Sequence, residues 1–253
     1  MFFAGQGVSL IGTFLQQVAL SWFVYRVTGS KMLLGTIAFA SQAPSFLLSP
    51  LAGALADRWN RRKVLVVVQS LQGLQALALA VAVTTDHAPI GLVVAIVTVF
   101  GCLNAIDIPF RQSLNTQMLD DPRSLPNAIA LNSALFNSAR LVGPALGGIL
   151  VASLGESACF FLNAASYLAV VGALIAIKPH PTPPSKRTRL GTEILDGLRY
   201  VRSHGPIRDL LMMVSAVGML GLAYTVLLPV MAQDLLHGRS EEHTSELQSR
   251  YVI

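Results

Sequence analysis

The chain has 253 residues, of which 53% are apolar and only 12% are charged, whereas a soluble domain carries about 25% charged residues. Several apolar runs reach the roughly 20 residues that cross a bilayer, so the composition excludes one large soluble core and points to a polytopic membrane protein. The formal net charge of +5 falls in turns between those runs and forms no patch, so no nucleic-acid partner is expected.

The first span is predicted over residues 2–25. It is long enough to cross and no basic segment precedes it, so it reads as a spanning helix and not as a cleavable signal. Gly5, Gly7 and Gly12 offer close packing. Gln16 and Gln17 fall at mid-membrane depth, where an amide needs a partner or a water-filled cavity. Hydrogen bonding between helices and a place in a substrate cavity both remain open for them. The turn Thr28-Gly29-Ser30 leads to a second span over 32–55, with Pro44 and Pro50 as tolerated kinks.

Residues 53–65 read GALADRWNRRKVL and pack Asp57, Arg58, Arg61, Arg62 and Lys63 between two apolar runs. So short a turn makes the flanking helices antiparallel neighbours. Gly53 is expected to let backbones approach closely. Asp57 suits a helix N-terminus or a nearby arginine. The stretch resembles the loop signature G-x-L-A-D-R-x-G-R-R-K of the major facilitator superfamily, matched at Gly53, Leu55, Ala56, Asp57, Arg58, Arg61, Arg62 and Lys63. Asn60 stands where that family has glycine and is expected to supply a left-handed backbone. The plain alternative is a basic topology loop.

A third span is predicted over 64–84 and a fourth over 90–108, closing with Asn104, Asp107, Pro109 and Arg111. Spacing of four puts Asp107 and Arg111 on one helical face, although Pro109 between them disturbs the geometry. This stretch, continued through residues 125–133, resembles the superfamily branch that includes bacterial siderophore exporters and macrolide efflux proteins. The resemblance implies that Asp107 and Arg111 lie near a cytoplasmic gate. There they would form charge pairs with Asp57, Arg58 or Arg61 that part on opening. A plain helix end is the alternative.

The fifth span, over 125–153, carries Asn137 and Arg140. A cation at the depth of Arg140 costs several kcal/mol unless it is paired or hydrated, and Asp107 is the candidate partner. A structural ion pair and a role in substrate or proton coupling both remain open. Gly143, Pro144, Gly147 and Gly148 give a small-residue packing face and a bend. They resemble the G-P-x-x-G-G signature of proton-coupled exporters, with Ala139 where that pattern has a further glycine.

A sixth span is predicted over 157–177. Residues 178–206 read as a cytoplasmic linker, Pro-rich at first and then amphipathic over 192–203, as a helix lying on the membrane surface. A seventh span follows over 207–237. The polar tail, 238–253, is expected to be non-native. With a cytoplasmic N-terminus, thirteen Lys and Arg fall in inside loops and two in outside loops, which sets the orientation in a bacterial inner membrane.

The resemblance implies an all-α membrane fold: a major facilitator-type bundle whose six-helix N-terminal half is two inverted three-helix repeats, followed by a seventh helix. It also implies proton-driven efflux of a small molecule of the drug or siderophore class by alternating access. Gln16, Gln17, Asn104 and Asn137 are the candidate cavity residues. The implied partners are the bilayer, the substrate and protons, with a monomer at full length. The chain reads as truncated, which leaves open whether it transports alone. A non-transporting sensor or scaffold on the same fold is the alternative. The sequence holds no HExxH, GxSxG or P-loop lysine motif and no metal-spaced His/Cys cluster, so no enzyme chemistry, cofactor or metal is expected. Cys102 and Cys159 lie in apolar runs and read as space-filling thiols.

Overall fold

A computed structural model describes residues 2–84, 88–118, 121–177, 197 and 199–217. Six helices among them are long and apolar enough to cross a membrane. They are α1 (Phe2–Thr28), α2 (Lys31–Ala56), α3 (Arg61–Thr84), α4 (Ile90–Gln117), α5 (Leu125–Leu154) and α6 (Glu156–Ala176). The described residues contain no strand. Residues 199–203 are helical, inside the expected surface helix, and 205–217 are helical from the end of the expected linker into the expected seventh span. The rest of those two segments, and the tail over 238–253, lie outside the described residues.

Local chemistry sets the turns. Gly29 takes φ +61°, a conformation open to glycine without steric penalty. The hydroxyl of Ser30 then accepts from the Leu33 amide at 3.3 Å to cap α2. Asn60 also has a capping role that its sequence position did not announce. Its side-chain oxygen accepts from the Lys63 amide at 3.0 Å and so caps the start of α3. Gly155, at φ +82°, joins α5 to α6.

The fourth helix runs well past the predicted end. It passes through Pro109 and continues to Gln117. Pro44, Pro50 and Pro144 are likewise inside helices. Spanning helices tolerate this because neighbouring groups take up the freed carbonyls.

The packing has an internal symmetry. The well-packed pairs are α2 with α4, α1 with α5, α1 with α6, α3 with α4, and α3 with α6. Exchanging α1–α3 for α4–α6 in order turns α1·α5 into α4·α2 and α1·α6 into α4·α3, and leaves α3·α6 unchanged. That is the pattern of two three-helix repeats.

Close crossings rest on glycines. A Cβ on Gly143 would stand 2.5 Å from Cβ of Phe14, and one on Gly147 would stand 3.4 Å from Cα of Leu15. Gly101 presses α4 onto α2 at the Ser41 carbonyl. Gly53 and Gly148 differ from expectation: among the described residues nothing lies within 4 Å of a Cβ built on either, so neither makes a close backbone approach to them.

The interior is layered. An apolar cluster around Leu15, Phe23, Leu79, Val93 and Phe160 fills the end near the α1–α2 turn. A second, around Leu65, Phe110, Leu114 and Leu174, fills the end near the α2–α3 turn. Between them in sequence along α3, α4 and α6 come buried polar residues, Gln69, Gln72, Gln75, Asp107, Asn163 and Ser166. Large apolar side chains such as Phe39, Phe46, Leu74 and Leu168 point outward. That surface suits hydrocarbon better than water.

Candidate functional site

The charged turn between α2 and α3 closes the end of α2 and binds the ends of two other helices, α4 and α6. Arg61 donates from Nε to the Ala56 carbonyl at 3.0 Å, closing α2. Its Nη1 reaches Oε1 of Gln117, the last residue of α4, at 3.4 Å. Its Nη2 lies 3.4 Å from Oδ1 of Asp57, whose side chain is 65% exposed. The Asp57 contact is therefore long and screened. Arg62 donates from Nε to the Leu174 carbonyl at 2.7 Å and from Nη2 to the Ile175 carbonyl. It thus serves as the C-terminal cap of α6, whose last carbonyls have no partner within the helix. Arg58 is half-buried and Lys63 is exposed.

Asp107 is 1% exposed. One carboxylate oxygen accepts from Nε2 of Gln69 on α3, and the other accepts from Nη2 of Arg111. Because α4 stays helical through Pro109, the spacing of four brings the two charges together on one face, as expected. The cross-pairing expected with Asp57, Arg58 or Arg61 is not what the structure has: both recorded bonds of Asp107 go to Gln69 and Arg111. A buried pair like this offsets its desolvation only when its remaining lone pairs are also satisfied. Gln69 supplies the second bond, to the carboxylate oxygen that Arg111 leaves free.

Arg140 does not meet Asp107. It lies exposed on α5, and among the described residues it has no ion-pair partner. Asn137 is exposed one turn earlier and folds its amide back onto the Ser133 carbonyl at 2.9 Å. The two glutamines of α1 separate. Gln16 is buried and accepts from Nδ2 of Asn163 on α6 at 2.7 Å, whereas Gln17 is exposed. Asn104 is half-buried on α4. Gln16 therefore binds helix to helix, while Gln17, Asn137 and Arg140 face outward from the bundle.

Sequence reading passed over several buried polar groups. Gln69, Gln72 and Gln75 are buried along one edge of α3, and their spacing of three in an otherwise apolar run was the available signal. Tyr167 Oη lies 3.4 Å from the Thr13 hydroxyl. At the opposite end Arg26 donates to Glu156 at 2.7 Å and ties α1 to α6.

Residues 1–246 match the family described as transmembrane secretion effectors. The chain belongs to this family of the major facilitator superfamily. Its relatives include the staphyloferrin A transporter of Staphylococcus aureus, 28% identical over 95% of this chain and 60% of that protein. The multidrug efflux pump Tap of Mycobacterium tuberculosis is 27% identical over 99% of this chain and 58% of the pump. An MFS-type transporter of Bacillus subtilis, YfiS, is 22% identical over 79% of this chain. The chain thus spans somewhat over half the length of the first two relatives. As a member of this family it is a multi-pass membrane protein.

Proposed function

We propose that the protein works as a secondary active exporter of small molecules of the drug or siderophore class, driven by protons, in a bacterial inner membrane. The observation that carries this reading is the meeting of two charged clusters at one end of the bundle. Arg61 and Arg62 close α2 and α6 and reach α4. About two to three turns further into α3 and α4, Asp107 holds Gln69 and Arg111. In this reading that end is cytoplasmic, the N-terminus with it, and the clusters hold it shut. Rocking of this bundle against a second one breaks and remakes those bonds, giving alternating access. Gln17, Asn104, Asn137 and Arg140 are the side chains proposed to face substrate or coupling protons. The names of the relatives, one a siderophore transporter and one a multidrug efflux pump, support the substrate class.

Everted membrane vesicles test this directly. On energisation they should accumulate a labelled drug such as ethidium, and a protonophore should abolish the accumulation. Accumulation that survives the protonophore would refute proton drive. Its absence with every drug and siderophore tried, from correctly inserted protein, would refute export.

A further inference from the structure

A cavity of about 10 Å³ lies inside the bundle, toward the end that carries the α2–α3 turn. Gln6 and Ser9 of α1, Leu65 and Gln69 of α3, Arg111 of α4, and Val170 and Leu174 of α6 form its walls. Gln6 and Gln69 are only 3% and 5% exposed. Each commits its Nε2 elsewhere, Gln6 to Oδ1 of Asn132 on α5 at 3.1 Å and Gln69 to Asp107. Each leaves Oε1 buried and without a partner among the described residues. A buried acceptor in that state costs about 1–3 kcal/mol, and stable interiors hold few of them. Turning either amide over changes which atom is unpaired but still leaves an unpaired atom.

We infer that this cavity is a binding site for a single water molecule. The water donates one hydrogen to Oε1 of Gln6 and the other to Oε1 of Gln69, and it accepts from Arg111. The guanidinium has five N–H donors and gives one to Asp107 in the recorded bonds. Size selects the occupant: one water needs at least roughly 10–15 Å³, so the cavity is too small for two. Charge selects it as well. Arg111 opposes a metal ion or ammonium, and two carbonyl oxygens oppose an anion. A neutral molecule with two donors and an acceptor complements all three groups.

The bound water joins two separate hydrogen-bonded sets. Gln6 and Asn132 link α1 to α5, while Gln69, Asp107 and Arg111 link α3 to α4. With the water in place, four helices share one polar network that includes the buried ion pair. This inference is independent of what the protein exports.

Radiolytic hydroxyl footprinting of the full chain in lipid nanodiscs tests it, because radicals born from a bound water mark the side chains beside it. Leu65 and Leu174, both 1% exposed, should be modified several-fold more than Leu79, which is 0% exposed and lies in the other apolar cluster. In H₂¹⁸O the label at Leu65 should appear more slowly than at exposed Trp59. Gln6→Leu should lower Leu65 and Leu174 to the Leu79 level. Wild-type modification no greater than at Leu79 would mean a dry cavity and would overturn the inference. Label exchange at Leu65 as fast as at Trp59 would mean an open crevice and would overturn it too. The wild-type comparison decides the matter even if Gln6→Leu does not fold.

Discussion

Arg62 donates from Nε to the carbonyl of Leu174, a residue 112 positions further along the chain. The bond joins the charged turn to the last turn of α6, immediately before the segment that follows the sixth helix. Arg62 is thus more than a topology charge: its fork satisfies carbonyls that the helix leaves unpaired.

The first prediction follows from that fork. Arg62→Ala removes both bonds to α6, and hydrogen bonds from charged donors contribute about 1.5–3 kcal/mol each when well buried. Arg62 is half-buried, so the expected loss lies toward the lower end. Thermal unfolding in detergent should show a clear fall for Arg62→Ala and an intermediate one for Arg62→Lys. Lys63→Ala should stay within about 0.5 kcal/mol of wild type, as exposed surface changes do. Equal effects at positions 62 and 63 would show that the cap carries no stability.

Asp107 and Arg111 make the second prediction. Removing one member of a buried ion pair strands the other, at about 3–5 kcal/mol, whereas removing both can be nearly neutral. Asp107→Asn and Arg111→Gln should each lower stability and abolish transport. The double variant should regain a large part of the stability. A double-mutant cycle read by thermal unfolding measures this coupling, and simple additivity would mean the two charges do not interact.

Glycine substitutions form the third. Gly143→Val drives a side chain into Phe14, and Gly101→Val drives one into the Ser41 carbonyl. Overpacking of this kind costs about 1–3 kcal/mol. Gly53→Ala and Gly148→Ala meet nothing within 4 Å and should leave folding unchanged. If Gly53→Ala or Gly148→Ala still reduces transport while folding is intact, those two glycines act in another conformation of the cycle.

Much of this architecture was legible in the sequence, for one physical reason. A spanning helix must be long and apolar, so the ends of six spans could be read to within a few residues, except at the end of α4. There the apolar run ends at residue 108, yet the helix continues to Gln117. The charged turn was legible through its spacing, but the partners of its arginines were not. Arg62 reaches α6 and Arg61 reaches α4, contacts that depend on packing between distant segments. The cap supplied by Asn60 was not legible, because a cap and a left-handed turn favour the same residue type. The buried glutamines of α3 were hidden by the hydropathy of the run around them. Arg140 was given a partner on the strength of proximity along the chain, and the structure faces it outward instead.

The account rests on the charged turn lying at the cytosolic face of a carrier. Lys63 is exposed, so Lys63→Cys, in a background with Cys102 and Cys159 replaced by alanine, reports its side of the membrane to an impermeant maleimide. Labelling in everted vesicles but not in intact cells is the predicted result. Labelling in intact cells would place the turn outside and contradict the account.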